Sequence, residues 1–309
     1  MLLHVGSLAL GALLLWFGAE WIVDSASAVA RKYNVSELVI GLTIVAMGTS
    51  APEFLVTATA AFKGMEDISL SNVVGSNIFN LGFILGLMAL IRPLPTNKHI
   101  LYRDGLLLFG VTALILGLAT FGELGRPAGL VLLCLLGVYL AVLILKGRHM
   151  GCDEIAVCDE RKANIWDYPK LAVGFAAIAL GGEFLVEGAS AVARSMGLSE
   201  WGIGVTIVAA GTSLPELVTC LAASMKGRND MLLGNLIGSD FFNFAGVLGL
   251  TCLMRPLHVS PEAFPGLVAL VGMVGVVLVM IRTGWRVSRV EGALLIAINL
   301  LRWARDFSA

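Results

Sequence analysis

One apolar segment occurs twice in this chain at a constant offset. GLTIVAMGTSAPE, from Gly41, returns as GVTIVAAGTSLPE from Gly204, and NVVGSNIFN, from Asn72, returns as NLIGSDFFN from Asn235. Glu53 and Glu216 lie 163 positions apart (216 − 53), as do Gly75 and Gly238, so the blocks align without a gap. The match extends outward: Glu20 falls on Glu183, and Arg92-Pro93-Leu94 on Arg255-Pro256-Leu257. A duplicated apolar segment with one glutamate per copy marks a membrane transporter built from two halves.

The rest of the sequence agrees with a membrane setting. Hydrophobic residues make up 58% and charged residues 14% of the chain, and the mean hydropathy is +0.89. That is too apolar for a soluble domain of this length. A net charge of -1 argues against a nucleic-acid partner. The expected class is an all-α polytopic membrane protein in the lipid bilayer. Ten spans are expected at roughly 4–30, 37–63, 69–91, 104–121, 128–146, 169–194, 200–226, 232–254, 264–281 and 289–304. SASAVA, from Ser25, resembles a signal-peptide cleavage site. However, no Lys or Arg precedes the apolar run, and the segment matches that around Glu183, so it reads as the first span.

Orientation follows from the basic residues. Fifteen of the 21 Lys and Arg fall in loops after the odd-numbered spans. Positive-inside logic puts that side in the cytoplasm and both termini outside, in the cell's inner (plasma) membrane. Five spans per half is an odd number, so the halves insert upside down relative to each other. The expected division is a first repeat over 1–146, a short cytoplasmic linker over 147–168 and an inverted second repeat over 169–309. Cys152 and Cys158 sit in the linker among acids and read as free thiols. Cys134, Cys220 and Cys252 read as packing residues.

The repeated motif carries chemistry. Pro52 lacks an N–H and clashes with the preceding turn, so the second span must kink or break there, and Gly48, Thr49 and Ser50 ease the unwinding. Freed carbonyls within a bilayer need a polar cavity or a cation. Glu53 follows at once, near the middle of the span, where a carboxylate costs about 2.5–3.5 kcal/mol or more. Gly211, Thr212, Ser213, Pro215 and Glu216 repeat the arrangement in the seventh span. Two glutamates offer four oxygens, and the carbonyls near Thr49 and Thr212 add two. Ca²⁺ takes 6–8 oxygens, and two carboxylates match its charge. No His or Cys joins the cluster, which argues against a soft metal and against a histidine proton relay.

The third and eighth spans add a polar stripe. Asn72, Ser76 and Asn80 share one helix face, as do Asn235, Ser239 and Asn243. Asn77 and its counterpart Asp240 lie one residue off that stripe. Gly75 and Gly238 are expected to let another backbone approach closely. Glu20, Asp24, Glu183 and Glu187 recur toward the ends of spans 1 and 6 and read as vestibule residues.

GTSAPE with GSNIFN, and GTSLPE with GSDFFN, resemble the two inverted alpha-repeats of the cation/calcium exchanger superfamily, in its sodium/calcium exchanger branch. The resemblance covers nearly the whole chain. It implies ten helices with breaks in helices 2 and 7, alternating access, and antiport of Ca²⁺ against Na⁺ by a protein that is not an enzyme, needs no cofactor and works as a monomer. It implies that Glu53 and Glu216 ligate the ions at the midplane. Thr49, Ser50, Thr212 and Ser213 then add carbonyl and hydroxyl oxygens, Ser76, Asn80, Ser239 and Asn243 line the cluster, and backbone oxygens fall on Ala46 and Ala209. One departure stands out. Many microbial and potassium-dependent members end the second GSN motif in Asp, where this chain has Asn243, and here an acid stands three residues earlier, at Asp240, which joins the candidate ion ligands. The alternatives are an H⁺/Ca²⁺ or a K⁺-dependent Na⁺/Ca²⁺ exchanger. More distant are a Ca²⁺ channel, which needs a continuous pore, and an intramembrane serine hydrolase, for which Ser50 and Ser213 have no His or Lys base.

Overall fold

The computed structural model describes residues 2–147, 163–195 and 209–308. Cys152, Cys158 and most of the predicted linker lie outside the described residues, as does the start of the predicted seventh span. The elements are helical: α1 (Leu2–Tyr33), α2 (Glu37–Thr49), α3 (Ala51–Phe62), α4 (Glu66–Ile91), α5 (Ile100–Ala119), α6 (Arg126–Gly147), α7 (Asp167–Ser195), α8 (Leu214–Met225), α9 (Asn229–Met254), α10 (Phe264–Gly284) and α11 (Arg289–Ser308). Among the described residues, seven helices are long and apolar enough to cross a membrane. The bent pair α2–α3 makes an eighth if it counts as one span. This is a helical membrane protein. α8 is a shorter apolar helix. α11 carries Arg289, Glu291, Arg302, Arg305 and Asp306 and is the least apolar of the long helices.

The chain packs as two compact units, and each draws on both halves of the sequence. The first comprises Met1–Pro52 and Leu140–Asn235. Its backbone is the long pairing of α1 with α7, made close by glycines. A Cβ built on Gly11 would stand 2.8 Å from Gly181 O, and one on Gly18 would stand 2.9 Å from Gly174 O. With so little room between backbones, the helices gain dispersion contact that bulkier residues would forbid. At one end of this unit Glu37 accepts a 2.7 Å bond from Arg228, and Lys226 pairs with Asp24. Asp24, expected in a vestibule, is thus held by a cation at the end of α8.

The second unit comprises Glu53–Tyr139 and Leu236–Ala309. Gly86 and Gly292 bring α4 against α11, while Gly129 and Gly249 bring α6 against α9. Two short antiparallel ribbons clip the loops. β1 (Leu94–Pro95) pairs with β4 (Arg286–Val287), and β2 (Glu123–Leu124) pairs with β3 (Leu257–His258). α11 starts with a reciprocal capping box: Ser288 N–H donates to Glu291 at 2.7 Å, and Glu291 N–H donates back to Ser288 Oγ at 3.4 Å. Asp104 is buried, and both oxygens are satisfied by Arg103 at 2.7 and 2.9 Å and by Tyr139 at 3.0 Å.

The 163-residue offset reappears in these contacts. Leu94 pairs with Val287, and Leu257 pairs with Leu124; adding 163 to Leu94 and subtracting it from Val287 turns the first pair into the second. The same exchange turns Gly86–Gly292 into Gly249–Gly129, and Gly11–Gly181 into Gly174–Gly18. The expected close approach at Gly75 is not found. A Cβ there would meet nothing within 4 Å, because the tight backbone contacts fall on these other glycines.

Candidate ion-binding residues

The two helix breaks have the same local form. α2 ends at Thr49 and α3 begins at Ala51, and the axis bends by 47° between them. Ser50 sits at φ −82°, ψ 7°, and Ser213 at φ −94°, ψ 9°. Both occupy the sparsely populated bridge region, where one residue leaves the helix without positive φ. Pro52 and Pro215 then fall in the first turn of the next helix, where a missing N–H costs nothing.

In the first unit the residues at these breaks touch one another. Ser50 Oγ donates to Glu216 Oε1 at 3.0 Å, and Thr49 Oγ1 donates to Asn235 Oδ1 at 3.2 Å. Asn235 in turn directs its amide at Cys220 Sγ, 3.4 Å away. Thr49, Ser50, Ser213, Glu216 and Asn235 are all buried. Ala46 O already accepts the Ser50 N–H at 3.0 Å, and at 3.3 Å it is the alternative acceptor for the single Thr49 hydroxyl proton. Thr212 lies in the turn after the short helix Ala209–Gly211.

In the second unit Glu53 is fully buried in the first turn of α3. Its carbonyl accepts from Asn72 at 3.3 Å, and the same amide donates to Thr57 Oγ1 at 2.9 Å. Asn72 and Asn235 are therefore occupied in comparable ways: each amide bonds the matched position of the preceding helix, Thr57 in one half and Cys220 in the other. They hold the breaks in place. Cys220, expected only to pack, is the acceptor in the second copy.

Further along α4 and α9, Ser76, Asn77, Asn80, Asp240 and Asn243 form one buried network. Asn80 Nδ2 donates to Asp240 Oδ1 at 3.0 Å. Asn243 Nδ2 donates to Asn77 Oδ1 at 3.3 Å and to Ser76 Oγ at 3.4 Å. Ser239 is buried beside them in sequence. Asp240 and Asn77, off the stripe by helical spacing, are thus direct partners of the predicted ligands. Both motif asparagines lie in wide π-helical turns, Asn80–Ile84 and Phe242–Leu248, a feature frequent at functional sites.

The amide nitrogens settle where the amide oxygens go. The amide nitrogen of Asn80 faces Asp240, and that of Asn243 faces Asn77. Asn80 Oδ1 and Asn243 Oδ1 are then left buried, and neither has a hydrogen-bond partner among the described residues. An unsatisfied buried acceptor costs about 1–3 kcal/mol. A hard cation would remove that cost and would select such oxygens. Among the described residues no three His, Cys, Asp or Glu side chains cluster as a metal site, so any ion held here relies on amide, hydroxyl and carbonyl oxygens beside the few carboxylates.

The profile of the family described as "Sodium/calcium exchanger protein" matches residues 3–145 and 169–301. The chain belongs to the sodium/calcium exchanger family. The matched blocks include both GTSxPE motifs and both GSxxFN motifs. "Sodium/calcium exchanger MaX1" of Methanosarcina acetivorans is 35% identical to this exchanger over 328 residues, covering 93% of this chain and 94% of its own. "Inner membrane protein YrbG" of Escherichia coli is 32% identical over 277 residues, covering 85% and 84%. A solved structure of the sodium-calcium exchanger NCX_Mj, soaked with Na⁺ without Ca²⁺, superposes with a TM-score of 0.86 at 32% identity and covers 98% of both chains.

Proposed function

We propose that this exchanger moves Ca²⁺ against Na⁺ across the cell's inner membrane by alternating access, as a monomer, with Glu53 and Glu216 as its acidic ligands. The observation that carries the reading is the pair of buried amide oxygens on Asn80 and Asn243, each turned away from its own amide nitrogen's partner. Family membership supports the same conclusion, and MaX1 and NCX_Mj are both named sodium/calcium exchangers.

The residues divide the work. Glu53 and Glu216 supply negative charge at fully buried positions. Thr49, Ser50, Thr212 and Ser213, with Ser76, Ser239, Asn80 and Asn243, supply neutral oxygens, and Ala46 and Ala209 supply carbonyls. The Ser50 hydroxyl, which donates to Glu216 Oε1, keeps its lone pairs for a cation. Two carboxylates balance one Ca²⁺, or two Na⁺ with a third Na⁺ or a proton answering to Asp240. The same oxygens therefore serve both ions in turn, and occupancy by one displaces the other. That competition is the chemical basis of exchange.

The reading includes ten helices in two inverted five-helix repeats, over 1–146 and 169–309, joined by the 147–168 linker, with breaks in the second and seventh spans. The contact pairs exchanged by the 163-residue offset support it, because a two-fold repeat makes the backbone contacts between its halves recur with their partners swapped. Both termini lie outside the cell, following the basic residues.

The test is ⁴⁵Ca²⁺ uptake into proteoliposomes of purified protein, with an outward Na⁺, K⁺ or H⁺ gradient applied alone. Uptake driven by Na⁺ alone is expected. Uptake driven by H⁺ would move the protein to the proton-coupled branch, and a need for added K⁺ would place it with potassium-dependent exchangers. Flux indifferent to every counter-ion would indicate a channel.

A further inference from the structure

Asn299 in α11 reaches the wide turn of α4 at the point where Asn80 is presented. Its Nδ2 donates to Ile78 O at 3.0 Å, two residues before Asn80. Its side chain lies flat on Gly82, two residues after Asn80, where a Cβ would come within 2.6 Å of Asn299 Nδ2. Asn299 is only 1% exposed, and Ile78 is fully buried. The amide thus bonds the backbone just before Asn80 and fills the space a side chain at Gly82 would need, where the hydrogen-bond ladder widens over Asn80–Ile84. Such widening disturbs the regular backbone bonds, and within a membrane a neighbouring helix's side chain is one of the few groups that can satisfy them.

The contact has no counterpart in the other copy. The position matching Asn299 is Leu136, whose methyl Cδ2 would lie 3.3 Å from a Cβ on Gly246 in the widened turn Phe242–Leu248. One turn is therefore met by an amide and the other, at the matched position, by an apolar side chain. We propose that Asn299 is a positioning residue of the ion site. It fixes the turn that presents Asn80 Oδ1, so the Asn80 side is the pre-set half and the Asn243 side the adaptable half. This rests on the reading of Asn80 as an ion ligand.

The test compares Asn299→Leu, which places the matching residue of the first half at 299, with Asn80→Ala and the double variant. Half-saturating Ca²⁺ and maximal Na⁺-driven flux are measured separately in proteoliposomes. Outer residues that orient a ligand typically change metal affinity 10–100-fold. Asn299→Leu is expected to raise half-saturating Ca²⁺ about tenfold, and to add nothing when Asn80 is already Ala. A residue that merely packs would lower folded yield or melting temperature and leave half-saturation unchanged. That result, beside a clear loss of affinity in Asn80→Ala, would overturn the proposal. No effect of Asn80→Ala itself would instead refute the ligand reading beneath it. Should Asn299→Leu not fold, Gly82→Ala pushes the amide away from the opposite side. The same rise in half-saturating Ca²⁺ is expected there, and unchanged affinity would overturn the proposal.

Discussion

Asn80 donates its amide to Asp240 across 3.0 Å, and Asn243, 163 positions on, donates to Asn77 across 3.3 Å. The two bonds are one contact made twice, with donor and acceptor positions exchanged between the halves. They differ in one functional group. Asp240 carries an ionisable carboxyl where Asn77 carries a neutral amide, so the duplicated network is symmetric in shape and asymmetric in chemistry.

Glu53 and Glu216 are both expected to be indispensable. Gln keeps the volume of each side chain and removes the charge that offsets Ca²⁺. Either Glu53→Gln or Glu216→Gln should reduce Na⁺-driven ⁴⁵Ca²⁺ uptake to background while the protein still purifies as a folded species. Near-normal uptake by either well-folded variant would remove that glutamate from the ligand set.

Asp240→Asn should keep exchange alive and change its Na⁺ dependence. The substitution removes a carboxylate that orients Asn80 and sits among the buried polar groups. A hydrogen bond to a charged group is worth roughly 1.5 kcal/mol at the low end, or about tenfold in affinity. Half-saturating Na⁺ is therefore expected to shift by about that factor. Complete loss of uptake would make Asp240 a primary ligand, and superimposable Na⁺ curves would leave it no role in the ion cycle.

The small residues between helices carry stability. A Cβ on Gly86 would stand 2.8 Å from Gly292 O, a backbone atom that cannot swing aside. Gly86→Ala should destabilise the protein by about 1–3 kcal/mol, the usual cost of overpacking. In contrast, Gly75→Ala should be tolerated, since nothing lies within 4 Å of its added methyl. Melting temperatures of the two variants in detergent decide the matter, and equal values would contradict the packing described for α4 and α11.

The linker cysteines test orientation. Fifteen of 21 basic residues lie on one side of the predicted topology. An impermeant thiol reagent added to intact cells should therefore miss Cys152 and Cys158 and reach them after lysis. Labelling of Cys152 in intact cells would reverse the assignment.

The duplicated motifs were enough to place the breaks. Pro52 and Pro215 forbid a continuous helix by their covalent chemistry, so Ser50 and Ser213 leave it in either copy, whatever surrounds them. Burial of Glu53 and Glu216 was also legible, because a lone carboxylate in an apolar run has few other uses. Helical spacing grouped Asn72 with Ser76 and Asn80 but was silent on partners. Asn72 and Asn235 brace the breaks, while Asn77 and Asp240, one residue off that stripe, meet Asn243 and Asn80 directly. Spacing assigns a residue to a face of its own helix. Which face opposes which is decided by how helices pack and where a turn widens. Gly75 read as a close-contact glycine for the same reason, yet the tight contacts fall on Gly86 and Gly292. Asn299 left no trace in the repeat, because its matched position is Leu136 and its acceptor is a backbone carbonyl. Only the packed structure carries α11 against α4 and brings its amide to Ile78.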